Sequence, residues 1–307
     1  MTSPSNSRHV VVGAGPIGSA VATELASSGE QVRLVTRSGA GPEHANIERV
    51  AADASDAARL SDLAVGAHAL YNCANPRYSR WAQDWPPLAA SLLSAAESSD
   101  AVLVTASNIY GYGPVSGRFH EDLPLVATFT NGRVRADMYR AALAAYNAGR
   151  IRMVEVRGAD YFGPGSESHI GRPLPALLAG KTVRVLGNPE LPHSWTYTLD
   201  MAHALVTLGA DERSYGRAWH APSTQRSQHE ALDDLARVLG VPQPKVEPYP
   251  HWVLSALGVV NPDLRPLKDV VYQVESPYTV DDHAIRSTFG LDPTEWDTAL
   301  ASYRQGA

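Results

Sequence analysis

The sequence predicts an α/β protein, a doubly wound parallel sheet followed by a small C-terminal lobe. Three observations lead there. Short apolar runs alternate with Ala-rich helical stretches through the first half of the chain. A glycine-rich turn, Gly13-Ala14-Gly15-Pro16-Ile17-Gly18, joins the first apolar run to the first helical stretch. After Gly165 the alternation weakens and proline becomes frequent.

The elements follow in order. "HVVVGAG" reads as a strand and turn, and "PIGSAVATELASSG" as a helix ended by Gly29. "QVRLVTRSG" is a second strand and "IERVAADASD" a short third strand with its exit. "DAARLSDLAVGA" is helical, and "HALYNCAN" is a fourth strand. "WAQDWPPLAASLLSAAESSD" is largely helix, and "AVLVTASNIYGYG" is a fifth strand with its exit loop. "RVRADMYRAALAAYNAG" is a helix, and "IRMVEVRGADYFGPG" a sixth strand and exit. Beyond these, "HIGRPLPALLAGK", "LDMAHALVTLGAD", "SQHEALDDLARVLG" and the region of "TEWDTALASYR" read as helices. "TVRVLGNPELPHSWTYT" reads as short extended pieces around a turn, and the Ser-rich first seven residues as a mobile end. The expected division is a dinucleotide-binding domain over residues 1–165, with 195–220 packing back on it. Residues 166–194 and 221–307 form an interleaved substrate lobe.

Composition narrows the function classes. Hydrophobic residues make up 44% of the 307 residues, enough for a sizeable core. The formal net charge of -6 argues against nucleic acid as a main ligand. The single cysteine, Cys73, cannot form an internal disulfide, which fits a reducing compartment. No stretch is long and apolar enough for a membrane span, and the N-terminus has no signal-like pattern, so the expected location is cytoplasmic. The eleven histidines show no H-E-x-x-H or His-x-His spacing, so no metal site is expected. There is no G-x-S-x-G nucleophile turn.

The glycine loop carries the first chemical reading. Gly13 permits a tight turn, Gly15 lets backbone approach a pyrophosphate, and Gly18 allows close helix–strand packing. Pro16 and Ile17 open the helix, whose free N–H groups and positive dipole end suit an anion. The sheet is thus of the Rossmann type, and the implied cofactor is a dinucleotide. The end of the second strand chooses between cofactors. An acidic residue there usually meets the ribose 2'-hydroxyl, but this chain has Thr36, Arg37 and Ser38. A guanidinium pairs with a 2'-phosphate, so NADP(H) is expected over NAD(H), with Arg37 and Ser38 as its partners. Asp53, after the third strand, either accepts from the adenine amino group or serves as a local cap.

Taken in order, seven segments resemble the extended short-chain dehydrogenase/reductase family, of the NAD(P)-dependent epimerase/dehydratase type. They are the glycine loop, "YNCANP", "TASNIYGYGP", "FHEDLPL", "VRGADYFGPG", "HSWTYTLDMAHAL" and "VDDHAIRSTFGLDPTEWDTAL". The resemblance spans almost the whole chain and implies a nicotinamide cofactor, with Ala74 beside it, and a small-molecule substrate. It also implies a homodimer through the helix containing Val134 and Met138; packing on its own sheet would use the same residues.

The chain departs from that family at its chemistry. Where the family carries Tyr-x-x-x-Lys, the register places Asn131 and Arg135. The only lysines, Lys181, Lys245 and Lys268, lie far downstream. An amide does not titrate usefully, but it can polarise a carbonyl. Arg135 stays charged and can hold ribose hydroxyls or a substrate anion, yet it is a poor acid or base. The candidate catalytic set is therefore Tyr110, Ser107, Asn131 and Arg135, with Tyr110 as replacement acid or as a packing residue. Asp160 and Tyr161, beyond the sixth strand, and His193 and Trp195, in the later extended piece, are candidate substrate contacts. His169 and Arg172 open the lobe and could meet an acidic group. The expected function is an NADP(H)-dependent oxidoreductase or epimerase-type enzyme on a small carbonyl or hydroxyl substrate. Two alternatives stay open: a non-redox isomerase, lyase or cyclase in the same cleft, and a cofactor-sensing protein without catalysis.

Overall fold

The computed structural model describes residues 8–166, 168–250, 253 and 268–305. The Ser-rich first seven residues, and most of "HWVLSALGVVNPDLRP" within the Pro-rich lobe, lie outside the described residues.

The elements run β1 (Arg8–Val12), α1 (Pro16–Ser27), β2 (Gln31–Thr36), β3 (Ile47–Ala51), α2 (Ala57–Ala64), β4 (Ala67–Asn72), α3 (Trp81–Ser99), β5 (Val102–Asn108), α4 (Thr130–Asn147) and β6 (Arg152–Gly158). There follow β7 (Asp160–Phe162), α5 (Leu174–Leu178), β8 (Val183–Val185), β9 (Ser194–Tyr197), α6 (Thr198–Gly209), β10 (Arg217–His220), β11 (Thr224–Gln225) and α7 (Gln228–Leu239). Last come β12 (Val246–Pro248), α8 (Tyr272–Glu275), α9 (His283–Phe289) and α10 (Trp296–Ala301).

The main sheet has seven strands in the order β10-β6-β5-β4-β1-β2-β3, and its pairings are all parallel. The strand order reverses direction between β1 and β4, the place where open α/β sheets bind ligands. Period-2 geometry splits β1 between two apolar layers. Val11 enters the layer under α1 and α6 with Leu34, Val104 and Leu205. Val10 and Val12 enter the layer under α2, α3 and α4 with Leu70, Leu103 and Trp85. Burial on both faces explains why these strands read as continuous apolar runs.

A third core lies in the lobe, around Phe162, Trp195, Leu232, Trp296 and Leu300. It sits on the small sheet β11-β9-β7. The helix expected over "HIGRPLPALLAGK" shrinks to the five residues of α5, because Pro173 and Pro175 cannot donate to a longer ladder. The α7 helix forms as expected: Ser227 and Glu230 make a reciprocal capping box, and Gly240 ends the helix at φ 73°. Within residues 195–220, α6 packs on α1 and β10 extends the main sheet, whereas β9 pairs with the lobe strands. Val134 and Met138 of α4 are half-buried against the α3 side of the sheet.

Candidate dinucleotide and substrate site

The glycine loop has the shape its sequence implies. Gly13 sits at φ 99°, and a Cβ there would fall 2.7 Å from the Cys73 carbonyl oxygen and 2.9 Å from Ala74 Cα. The exit of β4 thus runs directly along the loop, which places Ala74 at the candidate cofactor path. A Cβ on Gly18 would lie 2.1 Å from the Gly13 carbonyl oxygen, so only glycine lets α1 press this close. Gly15 differs from both. It caps α1 with extended backbone, and a Cβ there would meet nothing within 4 Å. The open space beside Gly15, at the N-terminus of a twelve-residue helix, fits a pyrophosphate. Pro16 and Ile17 form the first turn of that helix, with no side-chain cap competing for its N–H groups. Cys73 is fully enclosed behind the loop, and burial pushes its thiol up to about 12. It is a small packing residue here, not a nucleophile.

At the outer end of β2, Arg37 and Ser38 are exposed. Ser38 Oγ accepts from Ala40 N–H in the turn. The Arg37 charge reaches Asp53 and Asp84, and Arg80 pairs with Asp84 at 2.7 Å. Asp53 accepts from the backbone and hydroxyl of Ser55 at 2.9 and 2.8 Å, and these bonds hold its carboxyl below the usual range. The N-cap of α2 is Asp56, not Asp53.

The exits of β4 and β5 and the start of α4 converge on the other side of the loop. Gly132 makes this possible, since a Cβ there would stand 2.8 Å from the Tyr110 carbonyl oxygen. Asn131 is buried and donates from Nδ2 to the Tyr78 carbonyl at 3.1 Å. Arg135 is also buried. Its guanidinium packs into the corner formed by the two perpendicular indoles of Trp81 and Trp85, at 4.5 and 4.4 Å from the ring centres. Burial pulls its pKa down while Glu155 offsets the effect. Among the described residues its Nε and Nη1 have no hydrogen-bond partner, and neither does the buried hydroxyl of Ser107. Buried polar atoms without partners are rare, so these are candidate contacts for a bound ribose or carbonyl. Tyr110 stands edge-on to Tyr78 and Phe129 and beside Trp81. Burial raises its phenol well above the usual range, with Tyr78 and Asp160 adding to the rise.

Beyond β6, the structure joins residues distant in sequence. Asp160 Oδ2 meets His193 Nε2 at 2.7 Å and faces His169 Nε2 at 3.8 Å. The buried His193 ring is stacked between Trp195 and Tyr278, at 4.5 and 4.9 Å. Burial opposes ionisation of Asp160, but His169, His193 and Arg172 hold its carboxyl below the usual range. Trp195 is wholly buried and donates to the Arg226 carbonyl at 2.9 Å, so it supports His193 from within the lobe core. The Tyr161 hydroxyl donates to the Ser107 carbonyl, tying the β6 exit to β5.

One polar cluster escaped the sequence reading. Arg157 Nε donates to Glu155 at 2.6 Å and its Nη1 to the Tyr112 hydroxyl at 2.7 Å. Tyr112 in turn meets His220 Nε2 at 2.8 Å, and His220 Nδ1 lies 2.9 Å from the Asp281 carbonyl. One tautomer satisfies the chain: Tyr112 accepts from Arg157 and donates to Nε2, and Nδ1–H donates to Asp281. The available signal was two charges in "MVEVRG", an otherwise apolar strand that must be buried on both faces. Tyr78, Trp81, Trp85 and Tyr278 were missed too, because aromatic residues in loops and helices carry no positional signal of their own.

A parallel doubly wound sheet, with an open glycine-rich helix N-terminus beside its switch point, is the architecture of a dinucleotide-binding fold. The chain belongs to the NAD dependent epimerase/dehydratase family, whose model matches residues 9–219. It is therefore an enzyme of the oxidoreductase/epimerase kind, as the series of motifs implies. No curated protein matches it. Among solved structures it is similar to dTDP-glucose 4,6-dehydratase from Bacillus anthracis str. Ames in complex with NAD, at 18% identity over 97% of this chain and 96% of that one, TM-score 0.79. It is also similar to UDP-glucuronic acid 4-epimerase from Bacillus cereus, in complex with UDP-glucuronic acid and NAD. That match has 17% identity, covers 98% of this chain and 100% of the other, and has a TM-score of 0.77. UDP-glucose 4-epimerase from Thermotoga maritima, with UDP-glucose, matches at 15% identity over 97% and 99% of the chains, TM-score 0.78. At these identities the likeness is one of fold. Among the described residues no helix is long and apolar enough to cross a membrane.

Proposed function

We propose that this protein is an NADP(H)-dependent oxidoreductase or epimerase-type enzyme acting on a small carbonyl or hydroxyl compound. The carrying observation is the open cradle at Gly15 combined with an exposed Arg37, and no carboxylate, at the end of β2. Gly13, Gly15, Pro16, Ile17 and Gly18 hold the pyrophosphate, and Arg37 and Ser38 take the 2'-phosphate. Ala74 flanks the path between the two halves, and Asp53 keeps one oxygen beyond its Ser55 bonds for the adenine side. The solved neighbours in complex with NAD favour the opposite cofactor choice, so direct comparison of the two cofactors is the test. Arg37→Ala should weaken NADPH binding about 10- to 100-fold, the loss of one charge-assisted contact, and leave NADH nearly unchanged. Nicotinamide fluorescence titration reads both. Equal effects on the two cofactors would refute the phosphate role.

Bound there, the nicotinamide supplies hydride transfer to or from a substrate carbon. The chain's own residues position and polarise. Arg135 Nε and Nη1 and the Ser107 hydroxyl offer hydrogen bonds to ribose or substrate oxygen, because nothing among the described residues takes them. Asn131 donates to the Tyr78 carbonyl and so holds the β4 exit against the start of α4. Tyr110, with its raised phenol, stays protonated and donates; it does not act as a base. Asp160, Tyr161, His193 and Trp195 form the lobe side of the substrate site, the last two by shaping it from behind. Tyr110→Phe with unchanged turnover would remove Tyr110 as the donor.

The non-redox alternative draws on one observation. Arg135 lies against two indoles and Asn131 is tied to a backbone carbonyl, so neither can replace the family's titrating tyrosine. A homodimer through α4 would use the half-exposed edges of Val134 and Met138, and sedimentation of the full chain tests it.

A further inference from the structure

We propose that His169 is the proton acceptor of the site, with Asp160 paired to its imidazole and His193 holding Asp160 from behind. The inference rests on the cofactor reading above and adds the group that reading lacks.

The argument is geometric. With a dinucleotide bound at the glycine loop, the adenosine half would face β2 and the nicotinamide half would face the exits of β4, β5 and β6. Asp160 stands at the β6 exit, and its charge acts on the phenols of Tyr78, Tyr110, Tyr272 and Tyr278. These phenols come from the β4 exit, the β5 exit and the C-terminal segment, so Asp160 lies where the three meet. The two imidazoles beside it are not equivalent. His193 is 3% exposed in its side chain, is stacked between two aromatic rings and makes the 2.7 Å bond. His169 keeps 24% of its side chain exposed and turns Nε2 toward Asp160, and its Nδ1 has no hydrogen-bond partner among the described residues. A carboxylate 3.8 Å from one ring nitrogen, too far for a hydrogen bond, stabilises by its charge the imidazolium formed when the other nitrogen takes up a proton.

The step balances. A bound nicotinamide would take the hydride from the substrate C–H; the chain's own part is the proton, which passes from the breaking O–H bond to His169 Nδ1 as the C=O bond forms. The imidazolium is then paired with Asp160, and the reverse direction returns the proton. The charged and titratable groups acting on His169 are Asp160, His193 and Arg172. Burial lowers its pKa and Asp160 raises it again, leaving the ring below its ordinary value and so a free base at neutral pH.

The test needs no known substrate. Histidine ring resonances of the full chain are followed by NMR through pH 5 to 8.5, with saturating NADP+ and then NADPH, and assigned with His169→Asn and His193→Asn. If the imidazole faces the reacting ring, the His169 midpoint falls at lower pH with the cationic NADP+ than with the neutral NADPH. Asp160→Asn shifts it further down in both states, because the carboxylate that raises it is gone. The same His169 midpoint in both cofactor states, in samples where fluorescence shows the cofactor bound, overturns the proposal and leaves the cofactor reading standing. Failure to bind either cofactor overturns both.

Discussion

Gly15→Ala and Gly18→Ala test the loop with opposite expected outcomes. At Gly15 the backbone is extended, at φ -71° and ψ -177°, so alanine fits without strain. The added methyl meets nothing within 4 Å. Loss of the glycine N-cap costs roughly 0.5 to 1 kcal/mol, and the stiffer unfolded chain offsets about as much. The melting temperature should therefore move by less than about 3 °C. The same methyl occupies the space assigned to the pyrophosphate, where one or two backbone contacts to an anion are worth roughly 1.5 to 3 kcal/mol each. NADPH affinity should fall by at least tenfold. At Gly18 the methyl would lie 2.1 Å from the Gly13 carbonyl and 3.0 Å from Cys73 Cβ, so α1 must move outward by about 1 Å or more. That costs roughly 3 kcal/mol and lowers the melting temperature by roughly 6 to 12 °C. Thermal unfolding and NADPH fluorescence titration on both variants decide the matter. Wild-type affinity in Gly15→Ala would refute the cradle, and wild-type stability in Gly18→Ala would refute the packing argument.

Three other outcomes follow from buried polar groups. Burial drives His220 down from its ordinary 6.5 to about 3, so the unfolded chain binds its proton first as pH falls. Its contribution to stability is complete above about pH 6.5 and declines toward pH 3, by about 2 kcal/mol between pH 7.5 and 5.0. Urea unfolding at those two pH values should show this loss in the wild type and a smaller one in His220→Gln; equal losses would count against it. Glu155→Gln leaves the Arg157 guanidinium buried with a neutral partner and should cost about 3 kcal/mol in urea unfolding, whereas a cost under about 1 would mean the pair is not desolvated. Arg135→Met places an apolar chain against the two indoles, so the melting temperature should hold or rise while NADPH affinity drops about tenfold or more. Unchanged affinity would remove Arg135 from the cofactor site.

The glycine loop was fully legible in the sequence because its requirements are local. Gly13 and Gly18 are dictated by backbone within a few residues and by the next strand. The parallel sheet was legible for a similar reason: strands buried on both faces must be apolar throughout, and β1, β5 and β6 announce themselves. β10 was not, since "RAWH" is four residues long and becomes a strand only because β6 offers a free edge beside it. The helix was readable from Arg133, three residues short of its start at Thr130, and so was the place of Arg135 on it, but not the side chains' surroundings. Arg135 sits against Trp81 and Trp85, about fifty residues earlier, a contact that no periodicity encodes.

By itself, then, the sequence determined what short-range sterics and hydrophobic periodicity control: the shape of the glycine loop, the strand–helix alternation and the absence of a Tyr-x-x-x-Lys pair. Tertiary structure alone decided the electrostatics. Asp160 meets His193 across 33 positions, and Tyr112 meets His220 across 108. A hydrogen bond depends on two groups reaching within about 3 Å in a dry interior. For residues so far apart in the chain, that distance is fixed only once β10 has joined the main sheet and β7 has paired with β9.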